Sequence, residues 1–332
     1  MIKLGVIHGG ISTEHDVSEM SAKSVIDNLN KEKYEIHEIY INQYGKWFEV
    51  KNGQKEEIYN LIWTLKELDV VFPVLHGLGG EDGTIQGMLE MLKVPYVGCG
   101  VLASSVGMDK VYTKIVFEKA GIPQAPYIYV KRKQDGYAII DNNFNEEEFK
   151  LEKITSKLKF PMFVKPSNSG SSVGVKKATN NEELKMAIEN AAQYDIKILV
   201  EQGIDGKEVE CAILDGKEVL ASTVGEIMSA EEFYSFDAKY NIPESKTIIP
   251  ANITEEQIEE IRKLAVRAFN SIDGKGLSRV DFFVEKETNK LYINEINTMP
   301  GFTKISMYPK LFETVGISYS ELLDRLVQNA IK

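Results

Sequence analysis

Cysteine is scarce in this chain of 332 residues, with Cys99 and Cys211 the only two. They stand far apart and have no CxxC spacing, which excludes a zinc knuckle or a disulfide framework and fits reduced thiols. Long apolar runs are missing too, for none approaches the ~20 residues that a spanning helix needs. The opening MIKLGVIHGG carries one lysine, and its apolar stretch is cut at His8-Gly9-Gly10, so it reads as a first strand and not as a signal peptide. Excess positive charge is absent as well. The formal net charge is −11, and a net anion repels phosphate backbones and acidic lipid, so neither nucleic acid nor a membrane surface is an expected partner. A cytoplasmic location follows as an expectation. There are no repeats, low-complexity tracts or heptads. What remains is an ordinary globular composition, 43% hydrophobic and 27% charged, long enough for two or three domains.

Residues 2–7 read as a buried strand ended by Gly9-Gly10. Ser12 or Thr13 can cap a helix running to about Asn30. Strands at 35–41, 70–73 and 96–97, with a helix at 84–92, imply a parallel α/β sheet over the first hundred residues. A helix over 110–120 stops at Gly121-Ile122-Pro123, and the acidic stretch 141–148 reads as a loop with a helix start. Short strands at 160–166 and 173–177 flank a Ser/Gly-rich turn. A helix over 182–192, a strand over 197–201 and a helix over 254–270 follow. The expectation is three α/β units, residues 1–100, 101–205 and 206–332.

The strongest local signal is Ser278-Arg279-Val280-Asp281 with Asn294-Glu295-Ile296-Asn297, two strand-like runs joined by the polar turn at 286–290. Side chains alternate along a strand, so Arg279 and Asp281 share a face, as do Glu295 and Asn297. A hairpin centred on Thr288 pairs Asp281 with Glu295 and Arg279 with Asn297. Two facing carboxylates repel unless something compensates them. A divalent cation does so, and the hard oxygens of Asp281, Glu295 and Asn297 suit magnesium bridging to phosphates. The alternative is a solvated hairpin face.

Lys165-Pro166-Ser167-Asn168-Ser169-Gly170-Ser171-Ser172 offers small residues whose N–H groups can approach phosphate, with a lysine point charge, although no GxxxxGK[ST] occurs. The alternative there is a flexible hairpin. Glu14 falls in the first turn of the first helix, where it either complements the helix dipole or holds an ammonium group. His76 opens a glycine-rich loop at a strand's carboxyl end, where α/β sheets bind ligands, and it serves equally as a satisfied loop histidine. Gly98-Cys99-Gly100-Val101-Leu102-Ala103 fits a dinucleotide turn but sits outside the opening βαβ, which argues against dehydrogenase chemistry.

Taken in order, GGISTEHDVS, LHGLGGEDGTIQGMLE, MDK, VKPSNSGSSVGV, VEQGIDGKEVE, FDAKY, SRVDFF and NEINTMPGFTKIS resemble the D-alanine–D-alanine ligase family of the ATP-grasp superfamily over nearly the whole chain. The resemblance implies a three-domain α/β ATP-grasp fold, with ATP between the central and C-terminal domains. It implies ligation of two D-alanines through an acyl phosphate, for peptidoglycan precursors. It makes Lys110 and Lys165 phosphate contacts, Glu201, Gln202, Gly203 and Ile204 the adenine hinge, and Glu208 the ribose contact. Ser171 and Ser172 fall in the closing loop, and Asp281, Glu295 and Asn297 hold two magnesium or manganese ions. Glu14 holds the first ammonium, with His76 beside the substrate. Arg279 and the Gly301 N–H stabilise the tetrahedral intermediate. Ser306 and Met307 recognise the second carboxylate.

The same resemblance puts a lid at residues 233–245, where Lys239 and Tyr240 favour D-alanine as acceptor. Phe236 departs from the family's frequent tyrosine and leaves D-serine or D-lactate as alternative acceptors. A homodimer is carried over from the family. A non-catalytic nucleotide sensor on the same fold is the competing class, and the complete set of charges for phosphoryl transfer argues against it.

Overall fold

The computed structural model describes residues 1–228 and 246–332. The lid expectation, with Phe236, Lys239 and Tyr240, lies outside the described residues.

The first sheet has five strands in the order β4-β3-β2-β1-β5. They are β1 (Ile2–Gly9), β2 (Tyr34–Ile41), β3 (Trp47–Lys51), β4 (Gln54–Glu57) and β5 (Val70–Pro73), with helices α1 (His15–Asn28), α2 (Leu61–Lys66) and α3 (Thr84–Leu92). β1 runs parallel to both β2 and β5, but β2, β3 and β4 form an antiparallel meander, so the all-parallel expectation is corrected. The cause is the turn at Asn42–Lys46. Asn42 N–H donates to Lys46 O and Gly45 N–H to Asn42 O, a reversal too short for a parallel crossover. The strand expected at 96–97 is reduced to a bridge between Val71 and Tyr96. Neither Ser12 nor Thr13 caps α1. Glu14 holds that position without a side-chain cap bond, and its carboxylate turns to the cavity described below.

Helices α4 (Val101–Met108) and α5 (Lys110–Lys119) lead into the second sheet. Its six strands run β10-β9-β11-β6-β7-β8, all antiparallel. They are β6 (Tyr127–Lys133), β7 (Gly136–Ile140), β8 (Glu146–Glu148), β9 (Met162–Pro166), β10 (Lys176–Ala178) and β11 (Lys197–Gln202), with α6 (Leu151–Thr155) and α7 (Asn181–Ala191). The helix start expected within 141–148 is instead β8. Asp141 accepts the N–H groups of Asn143 and Asn145, each at 2.8 Å, and this Asx turn sends the chain back along β7.

The third sheet, order β14-β13-β12-β15-β16, is also antiparallel. It comprises β12 (Gly206–Leu214), β13 (Leu220–Met228), β14 (Lys246–Ile248), β15 (Leu277–Glu285) and β16 (Leu291–Asn297). Helix α8 (Glu255–Ser271) packs on it because Ile258, Ile261, Leu264, Ala265 and Ala268 line one face; a Thr254–Gln257 capping box starts the helix. Helices α9 (Met307–Glu313) and α10 (Tyr319–Ile331) follow.

One hydrophobic core joins the first sheet to the third. Leu4, Val6, Val70 and Phe72 pack in it with Leu214, Leu277, Phe302, Tyr308, Leu322 and Leu326. The second sheet keeps a core of its own, Val130, Met162, Val164, Ile198 and Val200 against Leu184 and Ile188 of α7.

Candidate active site

A cavity of about 600 Å3 opens where the three sheets meet. Lys165 and Glu201 reach it from β9 and β11, Glu208 and Glu210 from β12, Arg279 from β15, and Glu295 and Asn297 from β16. Loops complete it with Glu14, His76, Glu81, Gly170, Ser171, Ser172, Gly301 and Ser306.

The β15–β16 hairpin pairs Arg279 with Asn297 and Asp281 with Glu295, the register expected from the sequence. Nearer the turn the ladder is one residue out, with Phe282 facing Ile293 and Val284 facing Leu291. Asn294 is the extra residue, and this bulge restores the symmetry about Thr288 only at the site. Asn294 Oδ1 lies 3.4 Å from Lys165 Nζ. The facing carboxylates are compensated by Arg279, whose Nε and NH2 donate to the two Asp281 oxygens at 2.7 Å each, while Nε also lies 3.1 Å from Glu210. Burial works against the guanidinium charge, but the Asp281 and Glu210 carboxylates outweigh it and hold Arg279 charged well above its usual range. Asn297 Nδ2 donates to Asp281 Oδ2 at 3.0 Å. Glu295 and Asn297 border the cavity; Asp281, 3% exposed, does not itself line it.

At the other end, Glu201 is shared by two lysines. Lys165 Nζ is 2.8 Å from its carboxylate, and the buried Lys114, one helical turn beyond Lys110, pairs with the second oxygen. Burial pulls the Lys114 ammonium down, and its position over the Tyr127 ring, 5.3 Å from the centroid, adds a second partner. Burial opposes the charges on Lys165 and Glu201 too, yet the lysine is raised and the carboxylate lowered because each faces an opposite charge. With Lys114 taking one Glu201 oxygen from behind, Lys165 presents a charged ammonium at this wall of the cavity, suited to phosphate oxygens. Gln202, Gly203 and Ile204 continue this wall, and Gly203 N–H is anchored to Pro161 O at 2.8 Å.

Lys110 begins α5, which Asp109 caps. Its ammonium donates to Ser169 O at 2.6 Å and lies 3.8 Å from Glu295, bridging the Ser/Gly turn to the hairpin. Asp109 also receives Ser167 Oγ, Lys197 Nζ and Asn168 Nδ2, which roots the turn on the helix. Of the strand expected at 173–177 only Lys176 and Lys177 lie in β10, because Gly174 stands in left-handed backbone at φ 75°, as do Ser171 and Ser172 before it at φ 46° and 60°. Ser171 Oγ donates to Glu14 Oε1. A Cβ on Gly77 or Gly170 would collide with the other Glu14 oxygen, so both glycines are required for the carboxylate to fit.

His76 borders the cavity with both ring nitrogens held inside the protein, Nδ1 at 3.1 Å from Met299 O and Nε2 at 2.9 Å from Ser21 Oγ. Burial lowers its pKa and keeps the ring neutral. Ser306 Oγ meets Thr303 N–H at 3.0 Å, and Met307 fills the space beside Gly225. Every described residue expected at the site therefore lines the cavity except Asp281.

Sequence reasoning missed Glu81, Glu210 and Lys114. Two were within reach, since Glu210 shares a strand face with Glu208 and Lys114 shares a helix face with Lys110. Glu81 was hidden in a loop read for His76 and its glycines.

Two antiparallel sheets, one bringing lysines and the other a carboxylate–amide hairpin to a common cavity, define an ATP-grasp ligase. Residues 3–99 match the family model for the D-ala D-ala ligase N-terminus and residues 116–328 that for the C-terminus. The D-alanine–D-alanine ligase of Acetivibrio thermocellus is 50% identical, with 98% of this chain and 95% of the relative covered. Among solved structures, the VanG D-Ala:D-Ser ligase of Enterococcus faecalis is 34% identical with a TM-score of 0.85 over 99% of both chains. The D-alanine–D-alanine ligase of Bacillus anthracis complexed with ATP is 31% identical, TM-score 0.80, covering 100% of this chain and 98% of the other. The chain belongs to the D-alanine–D-alanine ligase family.

Proposed function

We propose that this protein uses ATP to join two D-alanine molecules, and that the divisions near residues 100 and 205 separate the substrate unit from the two units that clasp the nucleotide. The observation that carries this reading is the convergence of the Lys165–Glu201 wall, the Arg279–Asp281–Asn297 cluster and Glu14 on one cavity.

A carboxylate is a poor electrophile, so the first D-alanine carboxylate takes the γ-phosphoryl group, releasing ADP and forming an acyl phosphate. Glu14, held by Ser171, grips that substrate's ammonium. Lys110 and Lys165 offset charge on the transferring group, while Glu201 to Ile204 seat the adenine and Glu208 the ribose. Glu295 and Asn297 offer hard oxygens at the cavity edge with the Asp281 carboxylate directly behind them, a donor set that suits a hard divalent cation, and these residues would hold two magnesium or manganese ions that supply charge neutralisation at the phosphates. The second amine, deprotonated, attacks the acyl carbon. Arg279 and the Gly301 N–H steady the oxyanion, and the C–O bond to phosphate breaks. Ser306 and Met307 receive the acceptor's carboxylate; His76 braces the substrate wall. Ser171 and Ser172, with the segment carrying Lys239 and Tyr240, exclude water from the acyl phosphate.

The product serves peptidoglycan precursor synthesis in the cytoplasm. No helix among the described residues is long and apolar enough to cross a membrane. A homodimer belongs to this reading by likeness to the family.

A phosphate-release assay across D- and L-amino acids, with and without magnesium, tests the proposal. D-Alanine-dependent release that chelation abolishes is expected; ADP formation indifferent to amino acid overturns it. The likeness to the D-Ala:D-Ser ligase makes D-serine the second acceptor to compare.

A further inference from the structure

The chain leaves β16 at Asn297 and runs without ladder support through Thr298-Met299-Pro300-Gly301 to Phe302. That segment carries the Gly301 N–H, yet its anchors come from the first unit. Met299 N–H reaches Glu81 Oε2 at 3.4 Å, and Met299 O lies 3.1 Å from His76 Nδ1. The second Glu81 oxygen accepts Gly77 N–H at 2.9 Å, closing the loop on itself. Ser21 Oγ, which meets His76 Nε2, accepts Phe302 N–H at 3.2 Å. His76 and Glu81 thus grip both main-chain polar groups of one residue, and the same glycine loop packs against Glu14.

We infer that Glu81, with His76 as its partner, is a positioning residue that sets Gly301 in register with Glu14, so that the oxyanion donor of one unit stays aligned with the ammonium site of another. The inference rests on the ligase reading for its kinetic consequence but not for its structural one. Burial and the nearby Glu14 push the Glu81 carboxyl up, while the Gly77 and Met299 N–H groups, one on each oxygen, pull it back towards the ionised, acceptor-only form. Glutamine cannot replace it. It has one acceptor oxygen, and its NH2 would face the other N–H.

The test compares wild type with Glu81→Gln and His76→Gln. Misplacing a reacting group by a fraction of an ångström lowers turnover far more than binding, so each variant is expected to lose about 10- to 100-fold in kcat with the KM for ATP held within about twofold. Hydrogen exchange of residues 298–303, followed by mass spectrometry without substrates, is expected to quicken in both. The double variant is expected to be no slower than the worse single one, because both act on one segment. A kcat within twofold of wild type, a KM for ATP that rises in step with the loss, unchanged exchange, or multiplicative losses in the double variant would each overturn the assignment. Should Glu81→Gln not fold, His76→Gln alone decides by the same kinetic split and exchange. A wild type lacking D-alanine-dependent turnover would sink the ligase reading while leaving the exchange result to stand.

Discussion

On one wall of the cavity Lys165, Glu201, Arg279 and Asn297 stand on strands whose ladders fix them, and each charge faces an opposite one. On the other wall Glu14, Ser171, His76 and Glu81 stand in loops held by single hydrogen bonds that cross between units. Strand-borne charges are organised before any ligand arrives, which favours electrostatic stabilisation of a phosphoryl group. Loop-borne groups are aligned only while the units are together, which suits a site that must admit two substrates and then exclude water. The division of labour predicts that damage to the strand wall abolishes chemistry, that loss of Ser171 from the loop wall weakens substrate capture, and that loss of His76 or Glu81 misaligns Gly301 and slows turnover to a lesser degree.

The largest expected effect belongs to Asp281→Asn or Glu295→Gln. Loss of a hard ligand and of charge compensation is worth several kcal/mol, or roughly a thousandfold in turnover with magnesium saturating. A loss confined to KM for D-alanine would break the comparison. Next comes Ser171→Ala, which removes the donor to Glu14. A hydrogen bond to a charged group is worth about 1.5–3 kcal/mol, so the KM for the first D-alanine should rise roughly tenfold or more while that for ATP stays put. Equal effects on both would mean that Ser171 serves the nucleotide instead.

Acid should then expose the loop wall. His76 has its pKa depressed by burial from an ordinary value of 6.5, so below that pH the unfolded chain takes up a proton that the folded one refuses. Stability is full above about pH 6.5 and falls as pH drops through it, and His76→Gln should flatten that slope in denaturant titrations. The smallest effects lie away from the cavity. Asp324, which Lys33 and Tyr34 hold below the usual carboxylate range against its partial burial, contributes stability at neutral pH that disappears as the pH falls through the carboxylate range. Asp324→Asn should lower the thermal midpoint slightly at pH 7 and not at all in strong acid. Cys99, raised to about 12 by burial, should resist thiol reagents at neutral pH in the folded enzyme.

Much of the strand wall was legible because strand periodicity is two and a polar turn marks the hairpin. The pairing of Asp281 with Glu295 needed nothing else. The bulge at Asn294 was not legible, since one extra residue between Ile293 and Glu295 changes no composition that a pattern can detect. β3 and β4 were missed because neither has a buried residue, and Gln54–Glu57 is exposed throughout, so no apolar alternation announces it. On the loop wall the glycine string marked a site, but which of its side chains turns inward depends on a fold that brings Met299 to it from more than two hundred residues away.

Helix α10 has a consequence for how this molecule can be divided. Leu322, Leu323, Leu326 and Val327 complete a hydrophobic interior that residues 2–73 begin, and Lys33 and Tyr34 clasp Asp324 across it. A fragment cut near residue 100 would present that unfinished interior to water and would be expected to aggregate. Closure of such a distant pairing is slow, so the sheet of residues 2–73 should be among the last parts of the protein to gain protection during refolding, although its strands precede those of the other two sheets along the chain.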